Sequence, residues 1–251
     1  MISVKRKLFL IDLIDVFLAE EYKPKQTKKK LIIYHYSRVP GQNLFKEITY
    51  QINLENDENE FFQRMSKKSR SKLRRAKKEP YEVIVKDNPT DEDLKEFRQF
   101  YNKFARYKKI HNINKFRFNR LKLLRNKGVL VFTKLQNTNQ EALCYQIRMI
   151  DKEMVLSLYG CTASWIRNRS DLKQQIRYAN RYLLWENLIM FKKRGYKIYD
   201  FGGITNNKDI NRFKEDFGFD NVEAYHGFDT ESLIGKILIR LHQRKNIYLF
   251  A

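Results

Sequence analysis

The sequence is poor in cysteine, glycine and proline. Its 251 residues include 2 Cys, 9 Gly and 4 Pro. Cys144 and Cys161 fall in apparent strands without a nearby histidine, which excludes a disulfide framework and a zinc site and fits a reducing compartment. Because no segment rich in Pro, Gly or Ser interrupts the chain, a single domain is favoured.

Long apolar runs are also absent. No apolar segment approaches the roughly 20 residues that a membrane-spanning helix needs. The segment 8–18 follows three basic residues, as in a signal peptide, but Asp12 and Asp15 interrupt its apolar character. We therefore predict ordinary folded structure in this segment and a cytoplasmic protein, with peripheral contact at the inner face of the membrane as a further option.

Acidic residues are few relative to basic ones. The chain has 51 Lys and Arg against 29 Asp and Glu, a formal net charge of +22. Such a field attracts polyanions, so we expect an anionic substrate or tRNA as partner, whereas nothing indicates a stable protein partner. Charge alone does not rank nucleic acid, a pyrophosphate-bearing carrier, coenzyme A and an acidic membrane, and a lysine-rich surface also serves solubility.

Apolar periodicity predicts an α+β fold with a mixed sheet in a single domain. Thr90, with Asp93 three residues later, predicts a capped helix start, and Gly195 after a basic turn predicts the end of a long helix. The predicted elements are strands at 31–36, 47–54, 81–85, 129–135, 141–150, 153–161 and 196–201, of which the fourth to sixth form an antiparallel meander, and helices at 58–78, 90–104, 172–194 and 233–241.

A flexible turn follows the strand predicted at 196–201. The sequence Asp200-Phe201-Gly202-Gly203 ends in two glycines, which let the backbone turn sharply and approach a ligand closely. Lys214, beside Phe213, follows 11 residues after Gly203. In acyl transfer, a lysine beside an aromatic wall could stabilise the developing oxyanion. The proton of an attacking amine could pass to Glu215, Asp216, Asp200 or a substrate carboxylate, and spacing does not choose among them.

The same residues also have a purely structural interpretation. A Gly-Gly pair often only ends a strand, and Phe213, Phe217 and Phe219 could be core residues on one short helix.

Several short motifs occur in a fixed order between roughly residues 58 and 220. They are the basic segments 66–70 and 73–78, Tyr159-Gly160-Cys161-Thr162-Ala163-Ser164, residues 180–185, Lys193-x-Gly195, residues 199–203 and Phe213-Lys214-x-x-Phe217-Gly218. Together they resemble the GNAT domain of the Fem-type peptidoglycan-bridge aminoacyltransferases and their single-domain relatives. The resemblance implies a twisted mixed sheet flanked by helices.

The resemblance also implies a domain organisation. A GNAT-like acyltransferase domain would span 58–230, an N-terminal β-containing segment at 1–57 would pack on it, and 231–251 would form a basic amphipathic helix and tail.

The implied activity is transfer of an aminoacyl or other acyl group to an amine or hydroxyl of a cell-envelope precursor or glycan. Lys214 would assist the oxyanion, with Asp200 as the second catalytic candidate. The substrate-binding candidates are Phe213, Gly202, Gly203, Tyr178, Asn180, Arg177 and Arg181. We expect no metal and no tightly bound cofactor.

Two departures from the family leave the acyl donor open. Fem enzymes usually carry two GNAT domains, whereas this chain has room for one, and the glycine-containing coenzyme-A loop of ordinary GNAT acetyltransferases is missing. The donor is therefore either aminoacyl-tRNA or acyl-CoA. The alternatives are a coenzyme-A-dependent N-acetyltransferase and a non-catalytic protein that binds RNA or tRNA on a GNAT scaffold.

Basic residues are concentrated in three places. The first, with Lys67, Lys68, Arg70, Arg74 and Arg75, is either an anion-binding surface or a solvated helix face. In the second, Arg167, Arg169, Arg177 and Arg181 surround the start of the long helix and could hold an anionic substrate. The third is the helix at 233–241, which either lies on a membrane surface or covers the sheet.

Lys214 offers the simplest test of these expectations. We expect Lys214→Ala to abolish transfer and to change the free energy of unfolding by less than about 1 kcal/mol, as for a surface residue.

Overall fold

The three-dimensional structure is a computed structural model. It describes residues 1–8, 10–22, 29–166, 168–205 and 207–245, with side chains described as far as residue 241. Its strands are β1 (Ile2–Leu8), β2 (Ile11–Phe17), β3 (Lys30–Ser37), β4 (Leu44–Asn53), β5 (Glu82–Lys86), β6 (Leu130–Gln136), β7 (Ala142–Asp151), β8 (Met154–Thr162), β9 (Ile198–Gly203) and β10 (Asp220–Asp229).

The first helix in the described residues follows β4, and the last follows β10. The helices are α1 (Glu58–Arg64), α2 (Lys67–Ala76), α3 (Asp91–Lys108), α4 (Lys115–Asn126), α5 (Ser170–Lys193), α6 (Lys208–Glu215) and α7 (Leu233–Lys245). No helix in this part of the chain is long and apolar enough to cross a membrane.

The chain divides into two compact units. The first comprises residues 1–49, 115–123 and 221–251, and the second comprises residues 50–114 and 124–220. Strand β4 and helix α4 each contribute residues to both units, so neither unit is a continuous piece of sequence. The predicted boundaries after residues 57 and 230 stay a prediction.

The second unit contains the predicted meander. Its strand order is β4-β9-β8-β7-β6-β5, with antiparallel pairing from β5 to β8 and parallel pairing of β8 with β9. The long helix α5 buries Leu172, Ile176, Ala179 and Leu183 on one side. These four residues recur at helical spacing because this face of α5 packs on β6 and β7 through Leu135 and Leu143.

Local end signals set the bounds of the helices in this unit. The side chain of Thr90 accepts the backbone N–H of Asp93, and the side chain of Asp93 accepts the backbone N–H of Thr90. This reciprocal pair confirms the predicted capping box of α3. Gly195, with φ +82°, follows the last turn of α5, as predicted.

The first unit is built from strands that pair β1-β2-β3-β10-β4. β1 and β2 form an antiparallel hairpin, β2 and β3 are parallel, and β3 and β10 are antiparallel. Alternate residues of β1 and β2 point inward and form a core with β3, to which α7 adds Leu238 and Ile239. This packing of α7 agrees with the interpretation that the C-terminal helix covers the sheet.

One sequence expectation about elements is wrong, and several elements, among them β1, β2 and α4, were not predicted. The helix predicted at 58–78 is two helices, because Ser66 leaves helical geometry and accepts the backbone N–H of Ser69 to start α2. The pattern also missed β10, which follows α6 directly and belongs to the first unit. The α+β class with a mixed sheet flanked by helices is confirmed.

Candidate active site

Lys214, in the last turn of α6, contacts the end of β9. Its side chain is 3% exposed, and its Nζ donates to the carbonyl oxygens of Gly202 (2.9 Å) and Gly203 (2.5 Å). The same Nζ lies 4.9 Å from the ring centroid of Tyr50 and 5.5 Å from that of Phe201. The end of β9 and the last turn of α6, predicted to act together, are thus connected directly.

The environment of Lys214 lowers the proton affinity of its amine. Burial lowers the pKa of Lys214 to about 8, and the carboxylate of Asp200 opposes that shift. An ammonium has three N–H donors, and described residues accept two of them, so one donor is left for a ligand.

The burial of Lys214 overturns the expectation that Lys214→Ala is a surface-like change. Removing this side chain leaves the carbonyl oxygens of Gly202 and Gly203 without their donor. An unsatisfied buried acceptor costs about 1–3 kcal/mol, more than a typical surface substitution.

Asp200 fixes the turn that holds Lys214. Its side chain is 1% exposed, Oδ1 accepts the backbone N–H of Gly202 at 2.7 Å and Oδ2 accepts Nε2 of Gln51 at 2.9 Å. Gly202 has φ +85°, which favours glycine at this position. A catalytic role of Asp200 stays a prediction, and these bonds give it a positioning function.

Strands β8 and β9 separate beside this turn. Within the described residues they pair from Met154 to Leu156 and from Ile198 to Asp200, whereas β8 continues to Thr162 and β9 to Gly203. The ladder between the two strands is not continued past these pairs in the part of the chain that the structure describes. An extended substrate could therefore lie between them next to Lys214.

Phe213 forms an aromatic wall next to Lys214. Its ring centroid lies 6.0 Å from that of Phe201 and 5.3 Å from that of Phe217. The Arg181 guanidinium lies 5.0 Å from the Phe213 ring centroid, and its side chain is buried. The structure thus brings together six of the predicted site residues: Lys214, Asp200, Phe213, Gly202, Gly203 and Arg181.

Other substrate-binding candidates lie elsewhere on α5. Tyr178 is buried and Arg177 is exposed. Asn180 accepts through Oδ1 from Nε2 of Gln146 at 2.8 Å, which places it in a buried amide network with Asn187. Substrate binding by Tyr178, Asn180 and Arg177 stays a prediction.

Arg148 is a buried arginine that sequence reasoning missed. It donates to the hydroxyl of Tyr199 and, at 3.0 Å each, to the carbonyl oxygens of Ile147 and Tyr159. An arginine between Ile147 and Met149 in the mainly apolar strand β7 was the available signal. Because Tyr159 lies on β8 beyond its pairing with β9, Arg148 stabilises the separated end of β8.

The predicted anion-binding residues of α2 have unequal surroundings. Lys67, Lys68, Arg74 and Arg75 are exposed. Arg70 instead donates through Nη1 to the carbonyl oxygens of Gln63 (2.8 Å) and Met65 (3.0 Å), so it ties α2 to α1. Anion binding by this set stays a prediction.

The arginines near the start of α5 also differ in their surroundings. Arg169 forms ion pairs with Glu141 at 2.5 Å and with Asp171 at 2.7 Å. Arg167 lies outside the described residues. These pairs compensate the charge of Arg169, which makes it a weak candidate for anion binding.

The first unit holds a buried charge network that sequence reasoning also missed. Asp15, fully buried, accepts from Nε of Arg6 at 2.6 Å and Nη2 at 3.0 Å, and lies 3.0 Å from Nε2 of His35. Burial alone would raise the pKa of Asp15, but His35, Arg120 and Arg6 hold it well below its usual range. The carboxylate of Asp15 is surrounded by these basic side chains and therefore has a structural function.

Metal ligands are not grouped in the described part of the chain. No three His, Cys, Asp or Glu side chains come close enough together there to hold an ion.

Comparison with known proteins gives matches among solved structures alone. No protein-family model and no curated protein matches the sequence. The crystal structure of FemX superposes with a TM-score of 0.64 at 12% identity, covering 96% of this chain and 86% of that one.

Two further structures are similar over most of their length. The C-terminal domain of a putative lysylphosphatidylglycerol synthetase from Agrobacterium fabrum has a TM-score of 0.61 at 10% identity, covering 94% of this chain and 83% of that one. L-PGS from Bacillus licheniformis has a TM-score of 0.57 at 14% identity, covering 96% of this chain and 84% of that one.

These similarities establish the fold. The chain has the GNAT-like fold of the Fem-type transferases that the sequence motifs predicted. At 10–14% identity the comparisons show the fold, and they do not establish an activity.

Proposed function

We propose that the protein is an acyltransferase that moves an aminoacyl or other acyl group to an amine or hydroxyl. The observation that carries this proposal is the Lys214 ammonium, which is buried, bound to two carbonyl oxygens and next to the point where β8 and β9 separate. The fold shared with FemX and the lysylphosphatidylglycerol synthetases supports it.

Lys214 stabilises the charge that develops during transfer. The acceptor nitrogen or oxygen forms a bond to the acyl carbon, and the carbonyl electron pair moves to the oxygen. The remaining N–H of Lys214 donates to that oxyanion in a site with little water, where such a bond is strongest. The carbonyl then re-forms as the bond to the carrier breaks, and the acceptor's proton ends on the leaving group or in solvent.

The rest of the site keeps this ammonium in place. Asp200 and Gln51 fix the turn at Gly202, whose carbonyl oxygen accepts from Lys214. Phe213 and Phe201 exclude water from one side. A positioned donor of this kind contributes about 2.7–4 kcal/mol to transition-state stabilisation in acyl transfer.

For the substrates we propose an amine or hydroxyl of a cell-envelope precursor or glycan as acceptor. The donor is aminoacyl-tRNA or acyl-CoA, and neither needs a tightly bound cofactor. The net charge of +22 supports an anionic donor carrier of either type.

A transfer assay tests the proposal. Purified protein is incubated with tRNA charged with labelled amino acids or with labelled acyl-CoA, together with peptide and glycan acceptors that carry free amines. We expect a new amide or ester product with one donor class, and a rate at least a hundredfold lower for Lys214→Met. Absence of product with both donor classes and all acceptors would refute the proposal.

For the location we propose peripheral contact with an anionic membrane through α7. Leu233, Ile237 and Leu241, four residues apart, are exposed to 77%, 55% and 38%, and Lys236 and Arg240 lie between them. An apolar helix face flanked by basic residues suits the interface of an anionic bilayer.

Vesicle binding tests this location. We expect the protein to co-sediment with vesicles of phosphatidylglycerol and phosphatidylcholine more than with phosphatidylcholine alone, and Ile237→Asp to lose that binding. Equal sedimentation of Ile237→Asp and the unaltered protein would refute it.

A further inference from the structure

The hydroxyl of Tyr50 connects the candidate site with solvent through Glu215. Tyr50 lies on β4 and is 2% exposed, and its hydroxyl donates to Oε1 of Glu215 at 3.2 Å. Glu215 is the last residue of α6, and its side chain is exposed. A single hydrogen bond of the second unit therefore connects a buried side chain with a carboxylate that water can reach.

The ring of Tyr50 lies next to the ammonium of Lys214. Nζ of Lys214 is 4.9 Å from the centroid of the Tyr50 ring, and two of its N–H groups donate to backbone carbonyl oxygens. The third N–H is the donor that we assign to the oxyanion. A carbonyl that receives this hydrogen bond, and the amine or hydroxyl that attacks it, would therefore lie close to Tyr50.

Glu215 is a carboxylate without a compensating cation in the described part of the chain. No basic side chain there forms an ion pair with Glu215, and its hydrogen-bond partner is the hydroxyl of Tyr50. Glu141, in contrast, forms an ion pair with Arg169 at 2.5 Å. An ionised carboxylate has room for several hydrogen bonds, so Glu215 can take up a proton without breaking an ion pair.

The two other carboxylates near the turn are engaged differently. Asp200 is 1% exposed, and its two oxygens each accept a hydrogen bond. Asp216 is half-buried, and its charge attracts Arg181. A group that accepts a proton in each turnover must also release it to water, and of these three carboxylates Glu215 is the exposed one.

Tyr50 itself keeps its proton. Burial raises the pKa of Tyr50, and the hydrogen bond to Glu215 and the negative charge of Glu215 raise it further. The phenol is therefore neutral at neutral pH. Its O–H donates to Glu215, while its oxygen can still accept a hydrogen bond from a substrate. Such a group passes a proton on and does not act as the base.

We propose that Tyr50 and Glu215 form a relay that carries the proton of the acceptor to solvent. As the acceptor nitrogen or oxygen bonds to the acyl carbon, its N–H or O–H bond breaks and the electron pair stays on that atom. The proton passes to the Tyr50 oxygen while the O–H proton of Tyr50 passes to the Glu215 carboxylate, which then releases it to water. The inference rests on the proposed function, because it names the proton acceptor of that reaction.

Steady-state transfer kinetics of two variants test the relay on the full chain. We expect kcat to fall about a hundredfold in Glu215→Gln and about tenfold or more in Tyr50→Phe, with KM within about threefold, as for loss of a general base. Tyr50→Phe keeps the ring beside Lys214, so the oxyanion donor stays in place. An unchanged kcat in both variants would overturn the relay and leave a substrate carboxylate as the proton acceptor.

Asp209→Asn is the matched control for Glu215→Gln. It removes the same charge from an exposed position of α6 outside the relay, and we expect kcat to change less than about twofold. Equal slowing by the two variants would overturn the relay, because the rate would then follow the net charge of α6.

Added formate distinguishes proton transfer from a structural function of Glu215. Glu215→Ala leaves space for a small carboxylate at an exposed position, so formate should raise its rate by about fivefold or more. Formate should leave the rates of Asp209→Ala and the unaltered protein unchanged. No response of Glu215→Ala to formate would overturn the relay.

The titration of Tyr50 tests the contact independently of transfer. In protein with ¹³C-labelled tyrosine, Tyr50→Phe identifies the Tyr50 resonance, and Glu215→Gln should lower the pKa of Tyr50 because the carboxylate charge is lost. An unchanged pKa would overturn the relay. Absence of transfer by the unaltered protein would refute the proposed function and the relay with it, whereas full transfer by Glu215→Gln would overturn the relay alone.

Discussion

Arg6 and Arg181 are buried to the same extent and differ in what compensates their charge. Each is 7% exposed. In the first unit, Arg6 binds both carboxylate oxygens of Asp15, so its charge is neutralised within the fold. In the second unit, Arg181 lies over Phe213 and its Nε has no partner among the described residues.

The difference separates a buried charge that a carboxylate of the fold compensates from one that has no carboxylate bound to it. A buried ion pair with every donor and acceptor satisfied holds secondary-structure elements together. Removal of one partner leaves the other buried without a compensating charge. A buried cation without a partner destabilises the fold, and a bound anion would compensate that cost. The predictions below test this contrast, beginning with the largest expected effect.

Substitution of the two arginines by methionine tests the contrast directly. Arg6→Met should lower the free energy of unfolding by about 3–5 kcal/mol, because Asp15 is left buried without its bidentate partner. Arg181→Met should change that free energy by less than about 1 kcal/mol, because it removes a buried charge to which no described carboxylate is hydrogen-bonded. Denaturant unfolding at neutral pH measures both, and equal losses would contradict the account.

Asp200 and Gln51 test whether the turn at Gly202 positions Lys214. Asp200→Asn replaces one acceptor oxygen by an N–H donor, so it should lower the free energy of unfolding by about 1–3 kcal/mol and slow transfer. Gln51→Ala leaves Asp200 charged and should slow transfer by a smaller factor. Unfolding curves and transfer rates measure the two effects, and a fully active Asp200→Asn would exclude the positioning function.

The glycines of β8 and β9 provide a smaller test. Gly202→Ala places a side chain at φ +85° and should lower the free energy of unfolding by about 1–2 kcal/mol. At Gly160 a Cβ atom meets nothing within 4 Å, so Gly160→Ala is the control, with a change below about 0.5 kcal/mol. Thermal unfolding of both variants measures the difference, and similar losses would contradict the strain at Gly202.

Local signals in the sequence predicted much of the second unit. The capping residues Thr90 and Asp93, the C-terminal Gly195 and the alternation of the meander strands each act over a few residues, and the structure confirms them. The break at Ser66 was missed because its cap depends on one hydroxyl in an otherwise helical pattern. β10 was missed because it pairs with β3, nearly 200 residues earlier in the sequence.

The site was predicted in part for a related reason. Motif order along the chain identified Lys214 and the glycine turn, and the structure joins them. Burial of Lys214, the Gln51 contact to Asp200 and the convergence of Lys72 with Arg181 depend on tertiary packing, which spacing does not encode. Arg70 shows the converse, since a residue assigned to an anion-binding surface is used to tie two helices together.

The pH dependence of transfer tests most directly the central claim that Lys214 acts as a cation. Burial lowers the pKa of Lys214 to about 8, so its folded form loses the proton more readily than an exposed lysine. We predict that the transfer rate falls as the pH rises through about 8, and that Lys214→Arg, if active, lacks this fall because arginine stays charged. A rate that instead rises through about pH 8 in the unaltered protein, with no such rise in Lys214→Arg, would contradict the account, because the neutral amine of Lys214 would then be the active form.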